Sequence, residues 1–399
     1  MKNKDNKQNS KILINGSYSI LLTVLLLAGL IIVNLIVNHL PVKVTQFDFS
    51  NEKLYTLTDT TTGILKNLDQ DVELYYICEG GKEDDTIQKL LDRYESASSH
   101  IKVEQIDPAL YPGFTSKYTQ EDVANNSVIA VSGDVSKVVN ADSMYVESMN
   151  YNTYSYVKTG FDGEGMITSA VDYVTAKDIP NLYILSGNGE TALGSAFGDV
   201  ISKDNVNPLT LNLMTTDKVP EDADAILINT PTVDYSEEEA QKIIDYLEDG
   251  GKAIIFSNYT VEDMPNFDSI LANYGVEREK GIILEGDSDK YMSYQYCLVP
   301  DISYSAITEN VYGNGSVLAP MSQGILTSDS HRDSITYQPL LTTSDASYSK
   351  EDVENMTTSE KEKGDKSGPF TIGMLIQEDT NNDDEADTEI VYYSTGYLL

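Results

Sequence analysis

Three groups of residues in this 399-residue chain have the types and spacing that chemistry needs. The run Gly187-Asn-Gly-Glu-Thr-Ala192 fits G-x-G-x-x-A, in which glycines let a pyrophosphate approach a helix N-terminus. Asp217, after a predicted strand at 209–214, would then bind a ribose. The competing reading is a tight strand-to-helix turn whose glycines take positive φ. Second, Asp379, Asn381, Asp383 and Asp387 occupy places 1, 3, 5 and 9 of an EF-hand-like calcium loop. Asp384 stands where that loop needs glycine, and Ile390 where it needs a bidentate glutamate, so a solvated turn between strands explains the acids equally well. Third, Cys78 and Cys297 are possible nucleophiles, but neither follows a clear strand into a helix, and His331 lies in a Ser/Asp-rich loop. No G-x-S-x-G elbow occurs. Two cysteines make no disulfide framework, and the scattered His39, His100 and His331 make no histidine metal centre. The expectation is a protein that is not an enzyme, with no cofactor beyond a weak calcium candidate. Glu190 and the acids at 236–239 read as solvated helix-start residues.

The elements around these groups begin with a basic tail. Residues 1–17 carry Lys2, Lys4, Lys7 and Lys11 against Asp5, and residues 18–40 then hold no formal charge. At about 1.5 Å per residue that run spans roughly 34 Å, enough to cross a bilayer. It is longer than a signal peptide's apolar region and lacks a small-residue cleavage site after it. The lysines then lie in the cytoplasm and the chain beyond residue 41 is extracytoplasmic, anchored by a single pass. That placement also removes access to a nicotinamide pool. The whole chain carries 27 Lys and Arg against 64 Asp and Glu, a formal charge of −37, which excludes a nucleic-acid binder held by phosphates.

Past the anchor, Thr58 reads as an N-cap ahead of Ile64, Leu65 and Leu68 on one helical face. Strands are predicted at 72–78 and 101–106, with a helix at 84–99 between them. A hairpin around Gly133-Asp134 and a helix at 166–176 follow. This order gives a thioredoxin-like α/β domain over 45–179. From residue 180 to 399, strands at 182–185, 223–229 and 252–256 alternate with helices at 235–248 and 266–274, which argues for a parallel sheet covered on both faces. A late strand pair is expected at 370–377 and 389–393, and a polar loop or disordered insertion near 344–368.

Several segments together resemble a known family, the GldG-like auxiliary components of ABC-type transport systems first associated with gliding motility. They are residues 47–58, 64–68 and 72–76 past the anchor, Ile106-Asp-Pro108, the helix at 165–175, Leu182-Tyr-Ile-Leu-Ser-Gly-Asn-Gly-Glu190, and 235–239 with 246–251. Gly187, Asn188, Gly189 and Glu190 stand at the family's Gly-His-Gly-Glu turn, with Asn188 replacing its histidine. The resemblance implies that the second domain is class I glutamine-amidotransferase-like (flavodoxin-like), with no catalytic residues carried over. It implies partnership with an ABC permease and its ATPase. It also implies a C-terminal membrane helix, whereas this sequence ends at Gly396-Tyr-Leu-Leu. The expected function is a non-catalytic, membrane-anchored auxiliary component presenting its ectodomain to a substrate or envelope partner. The alternative is a stand-alone extracellular carbohydrate- or peptide-binding module, with tyrosines as stacking platforms.

Overall fold

Local sequence sets most element boundaries. In the computed structural model, residues 57–150, 155–381 and 385–398 are described. The predicted membrane helix at 18–40 therefore lies outside the described residues. Among those that are described, no helix is long and apolar enough to cross a membrane. The chain divides into two units, ending at Lys177 and beginning at Asp178.

In the first unit, Thr58 accepts a hydrogen bond from the Thr61 N–H and starts helix α1 (Asp59–Asn67). Strand β1 (Val72–Ile77) leads to helix α2 (Asp85–Ala97), capped by Asp84, and then to β2 (Ile101–Ile106). Strands β3 (Ser127–Ser132) and β4 (Val135–Val139) form a hairpin. A second hairpin, β5 (Tyr145–Asn150) with β6 (Ser155–Phe161), precedes helix α3 (Gly163–Thr175). The main sheet has the order β2-β1-β3-β4, with β1 parallel to β2 and antiparallel to β3. Period-2 alternation sends Leu74 and Tyr76 toward the three helices, where they pack with Leu65, Ile87, Leu90 and Val171. Tyr75, Ile77 and Ile129 face the other way, beneath Phe114 and Tyr118 of the irregular 107–126 segment.

The second unit opens with β7 (Asn181–Leu185), helix α4 (Ser195–Lys203), β8 (Asn207–Leu211) and β9 (Ala225–Asn229). Helix α5 (Glu237–Glu248), β10 (Lys252–Phe256) and helix α6 (Pro265–Ala272) follow. Short strands come next: β11 (Val276–Arg278), β12 (Ile282–Leu284), β13 (Cys297–Leu298), β14 (Asp301–Ile302), β15 (Ala319–Pro320) and β16 (Ile325–Thr327). The unit ends with β17 (Ile335–Thr342), β18 (Tyr348–Lys350), β19 (Thr371–Glu378) and β20 (Thr388–Tyr393). The large sheet runs β11-β16-β19-β20-β10-β9-β7-β8, with β17 also paired to β19. Strands β8, β7, β9, β10 and β20 are parallel, whereas β19, β16 and β17 join in antiparallel fashion. The sheet is thus mixed, and the expectation of a parallel-sheet domain holds for only part of it. The change occurs where the 379–387 turn, too short for a crossover helix, folds β20 back on β19. Ile226, Ile228, Ala253 and Ile255 pack under α5 and α6 on one face, and Leu182, Leu227 and Phe256 under α4 on the other.

One expectation is overturned in part. The polar stretch 344–368 contains β18, paired antiparallel to β12, and buries Ser347, Tyr348, Ser349 and Lys350. Lys350 is tolerated there because its ammonium meets Glu362 and Asp365, each at 2.8 Å.

Candidate functional site

In an open α/β sheet, ligand crevices form outside the carboxyl ends of strands where the winding direction reverses. Here that point lies between β7 and β9, because the chain moves outward from β7 to β8 and then returns past β7 to β9. Its walls are the Gly187–Glu190 turn after β7 and the 230–236 segment after β9.

Gly187 and Gly189 take φ of 129° and 73°. A Cβ on Gly189 would stand 2.2 Å from Thr232 Oγ1, so only glycine fits the close approach of the two segments. The Thr232 and Val233 amides both donate to the Asn188 carbonyl, and Thr232 Oγ1 donates to the Gly189 carbonyl. Glu190 accepts from the Asn188 N–H at 2.7 Å and from the Tyr235 hydroxyl at 3.0 Å. Ser236 and Glu239 form a reciprocal capping box on α5, and Asn188 Nδ2 donates to Glu239 at 3.4 Å. Asp234 accepts from the amides of Asn266 and Phe267, closing the start of α6. Tyr235 is buried, and that burial, followed by the charges of Glu190, Glu239 and Asp234, pushes its phenol well above the usual value.

This geometry corrects the solvated reading for Glu190 and Glu239, whereas Glu237 and Glu238 stand exposed in the first turn of α5 as that reading has them. Glu239 is buried, and Glu190 sits inside the turn; α4 begins only at Ser195, with Gly194 at its N-cap. The dinucleotide pattern fails for the same reason, since the glycines do not open a helix. Asp217 lines a groove with Asp249, Gly250 and Gly251, which lead into the amino end of β10, so it lies at the opposite end of the parallel strands from Gly187. Sequence reasoning missed Thr230, a β-branched residue at φ 48° beside the crevice, whose hydroxyl donates to Thr191 Oγ1 at 2.7 Å. Its place before Pro231 signals extended backbone, so the sequence pointed away from this conformation.

The other candidates do not gather at the crest. Cys78 belongs to the first unit, where burial raises its thiol pKa. Cys297 lies in β13, and His331 stands on an exposed loop edge-on to Tyr337. In the acidic tract, Asp387 accepts from the Thr380 amide and from Asn381 Nδ2, each at 2.8 Å, while Asp383 lies outside the described residues. Among the described residues no three His, Cys, Asp or Glu side chains converge as a metal site. What the crest does is lock two loops and two helix starts together, with its polar groups turned on each other.

Sheet and crest together define a two-unit α/β protein whose switch-point crevice is closed by its own side chains. Residues 180–389 match the model of a family described as an ABC-type uncharacterized transport system, and the chain belongs to that family, an auxiliary one of ABC-type transport. Residues 51–145 match a domain of unknown function. Among curated proteins none matches. Among solved structures the chain is similar to the mmIFT52 N-terminal domain, with 11% identity over 55% of this chain and 87% of that one, and a TM-score of 0.38. It is also similar to the N-terminal domain of alkylhydroperoxide reductase AhpF from Enterococcus faecalis, with 14% identity, 42% and 81% coverage and a TM-score of 0.23. A third is the exo-beta-1,4-mannosidase Op5Man5 from Opitutaceae bacterium strain TAV5, with 9% identity, 78% and 44% coverage and a TM-score of 0.30. Likenesses at these scores carry no functional argument.

Proposed function

We propose that this protein is a non-catalytic, membrane-anchored auxiliary component of an ABC-type transport system, of the GldG-like kind. Residues 18–40 hold it in the membrane, Lys2, Lys4, Lys7 and Lys11 stay in the cytoplasm, and the anchor couples it to the permease and, through the permease, to the ATPase. The first unit, ordered β2-β1-β3-β4 with flanking helices, is thioredoxin-like without a redox pair. The second is amidotransferase-like without a nucleophile. The observation that carries the reading is the family membership over 180–389. The self-satisfied crest supports the non-catalytic part, since the carboxylates of Glu190, Glu239 and Asp234 are engaged in holding backbone amides and Tyr235. Family membership favours this over a stand-alone carbohydrate- or peptide-binding module. The test is co-purification of the full chain in mild detergent: a permease and ATPase should accompany it, and their consistent absence while other such complexes survive would defeat the proposal.

A further inference from the structure

Asn-Gly is the dipeptide whose backbone most readily turns on its own side chain, because the second residue has no Cβ to keep its nitrogen away from the asparagine Cγ. The chain holds three, Asn15-Gly16, Asn188-Gly189 and Asn314-Gly315, the first of them outside the described residues. The other two stand in opposite surroundings. Attack needs an asparagine amide free to swing and a following peptide plane free to rotate. At the crest neither is free. Asn188 is 4% exposed, and its Nδ2 donates to Glu239. The carbonyl of the 188–189 peptide accepts from both the Thr232 and Val233 amides, and Thr232 Oγ1 crowds Gly189, so that plane is clamped.

Asn314-Gly315 lies in the loop between β14 and β15. The base of that loop is fixed. Ser305 and Thr308 are buried and hydrogen-bonded to each other at 2.9 Å, and the Thr308 carbonyl accepts from the Val311 and Tyr312 amides. Past Tyr312 the hold weakens. Gly313, Asn314, Gly315 and Ser316 are all exposed, and Gly313, at φ 72°, has nothing within 4 Å of the point a Cβ would occupy. Among the described residues neither the Asn314 side chain nor its carbonyl has a hydrogen-bond partner. The 314–315 peptide is held by one bond, from the Gly315 N–H to the Val311 carbonyl at 3.0 Å, on an acceptor shared with the Asn314 N–H at 3.3 Å.

We infer that Asn314 is a site of spontaneous deamidation, and that the fold protects Asn188 from the same reaction. When the bond to Val311 opens, the Gly315 nitrogen attacks Asn314 Cγ. The new C–N bond closes a succinimide ring, and the side-chain nitrogen leaves as ammonia, taking the Gly315 proton. Water then splits one of the two imide C–N bonds. Opening at Cγ leaves aspartate, whereas opening at the backbone carbonyl leaves isoaspartate, with the main chain rerouted through Cβ and Cγ. Either product adds a carboxylate to the turn. Isoaspartate also carries the Gly315 N–H away from Val311, so the turn does not reclose.

The inference does not depend on the transport reading. The full chain in neutral-detergent micelles is held at about 37 °C and pH about 8 for about two weeks, then digested and mapped by mass spectrometry. The peptide holding Asn314 should gain about one dalton, with isoaspartate located by fragmentation, while the peptide holding Asn188 keeps its amide. In urea both should convert alike, because the difference lies in the fold. Gly315→Ala adds a methyl that meets only ordinary contacts, 3.6 Å from the Val311 carbonyl oxygen, so it should fold normally and slow conversion by at least about tenfold. Equal fates for Asn314 and Asn188 in the folded chain, both kept or both lost, would overturn the proposal. So would conversion of Gly315→Ala at the native rate, or protection of Asn188 that persists in urea.

Discussion

Arg332 grips both carboxylate oxygens of Glu378, Nε to Oε1 at 2.6 Å and Nη2 to Oε2 at 2.7 Å, with the Glu378 side chain 3% exposed. The same guanidinium reaches the Asn273 carbonyl at 2.8 Å, so one side chain ties β19 to the end of α6. Arg332→Ala should destabilise the second unit by about 2–4 kcal/mol, because it strands a buried carboxylate. Denaturant unfolding measures this, and a loss under about 0.5 kcal/mol would refute the role.

The pair also sets a pH dependence. Hydrogen bonding from Arg332, helped by Ser334, holds the Glu378 carboxyl below its usual value against the opposing effect of burial. Stability from a depressed carboxyl is present above the unfolded value of about 4.3 and disappears as pH falls through the lower folded value. The acid limb of unfolding should therefore be shallower in Arg332→Ala than in the native chain. Parallel acid limbs would argue against the assignment.

Two glycines should respond in opposite directions. Gly63 lies inside α1 with nothing within 4 Å of the point an added methyl would occupy, so Gly63→Ala should stabilise by about 0.5–1 kcal/mol. Gly189→Ala places a methyl 2.2 Å from Thr232 Oγ1 at φ 73° and should cost at least about 2 kcal/mol. Thermal melts of the two variants decide it, and a neutral Gly189→Ala would mean the crest is looser than described.

At the capping box, Ser236→Ala removes the acceptor for the Glu239 amide and a donor to the Glu239 carboxylate. The expected loss is about 1–2 kcal/mol. Amide exchange should quicken across the first turn of α5 and the 187–190 turn together; quickening in α5 alone would show that Asn188 and Glu239 are not coupled.

For the acidic turn, Asp387 is already occupied by Thr380 and Asn381. Chelator should leave the melting temperature unchanged, whereas Asp387→Ala should lower it, because the Thr380 amide and Asn381 Nδ2 lose their acceptor. A clear downward shift with chelator, reversed by added calcium, would restore the metal reading.

What could be read in the sequence was what is local. Thr58 and Ser236 announce helix starts through their side-chain chemistry, and Ile87, Leu90, Leu91 and Tyr94 mark a helix face by spacing alone. Beyond the late pair expected at 370–377 and 389–393, the antiparallel part of the sheet was opaque, because partners such as Val276–Arg278 and Ile325–Thr327 are short and distant. Residues 344–368 misled for an energetic reason. Lys350 favours burial only once Glu362 and Asp365 surround it, and no window of composition contains that fact. The glycines of the crest were visible, but Thr232, which makes Gly189 necessary, lies more than forty positions away, and Met214, which crowds Gly187, more than twenty.

Strand β20 comes late in the chain yet sits in the interior of the sheet, between β10 and β19. Its parallel neighbour β10 is separated from it by more than a hundred residues. The β7–β10 half of the sheet can assemble as it emerges, but until residues 388–393 are made, β10 presents an unpaired edge with Ala253, Ile254 and Ile255 on it. Completion of the second unit therefore waits on residues 388–393, and the interval between making β10 and making β20 is when this sheet is most exposed to mispairing.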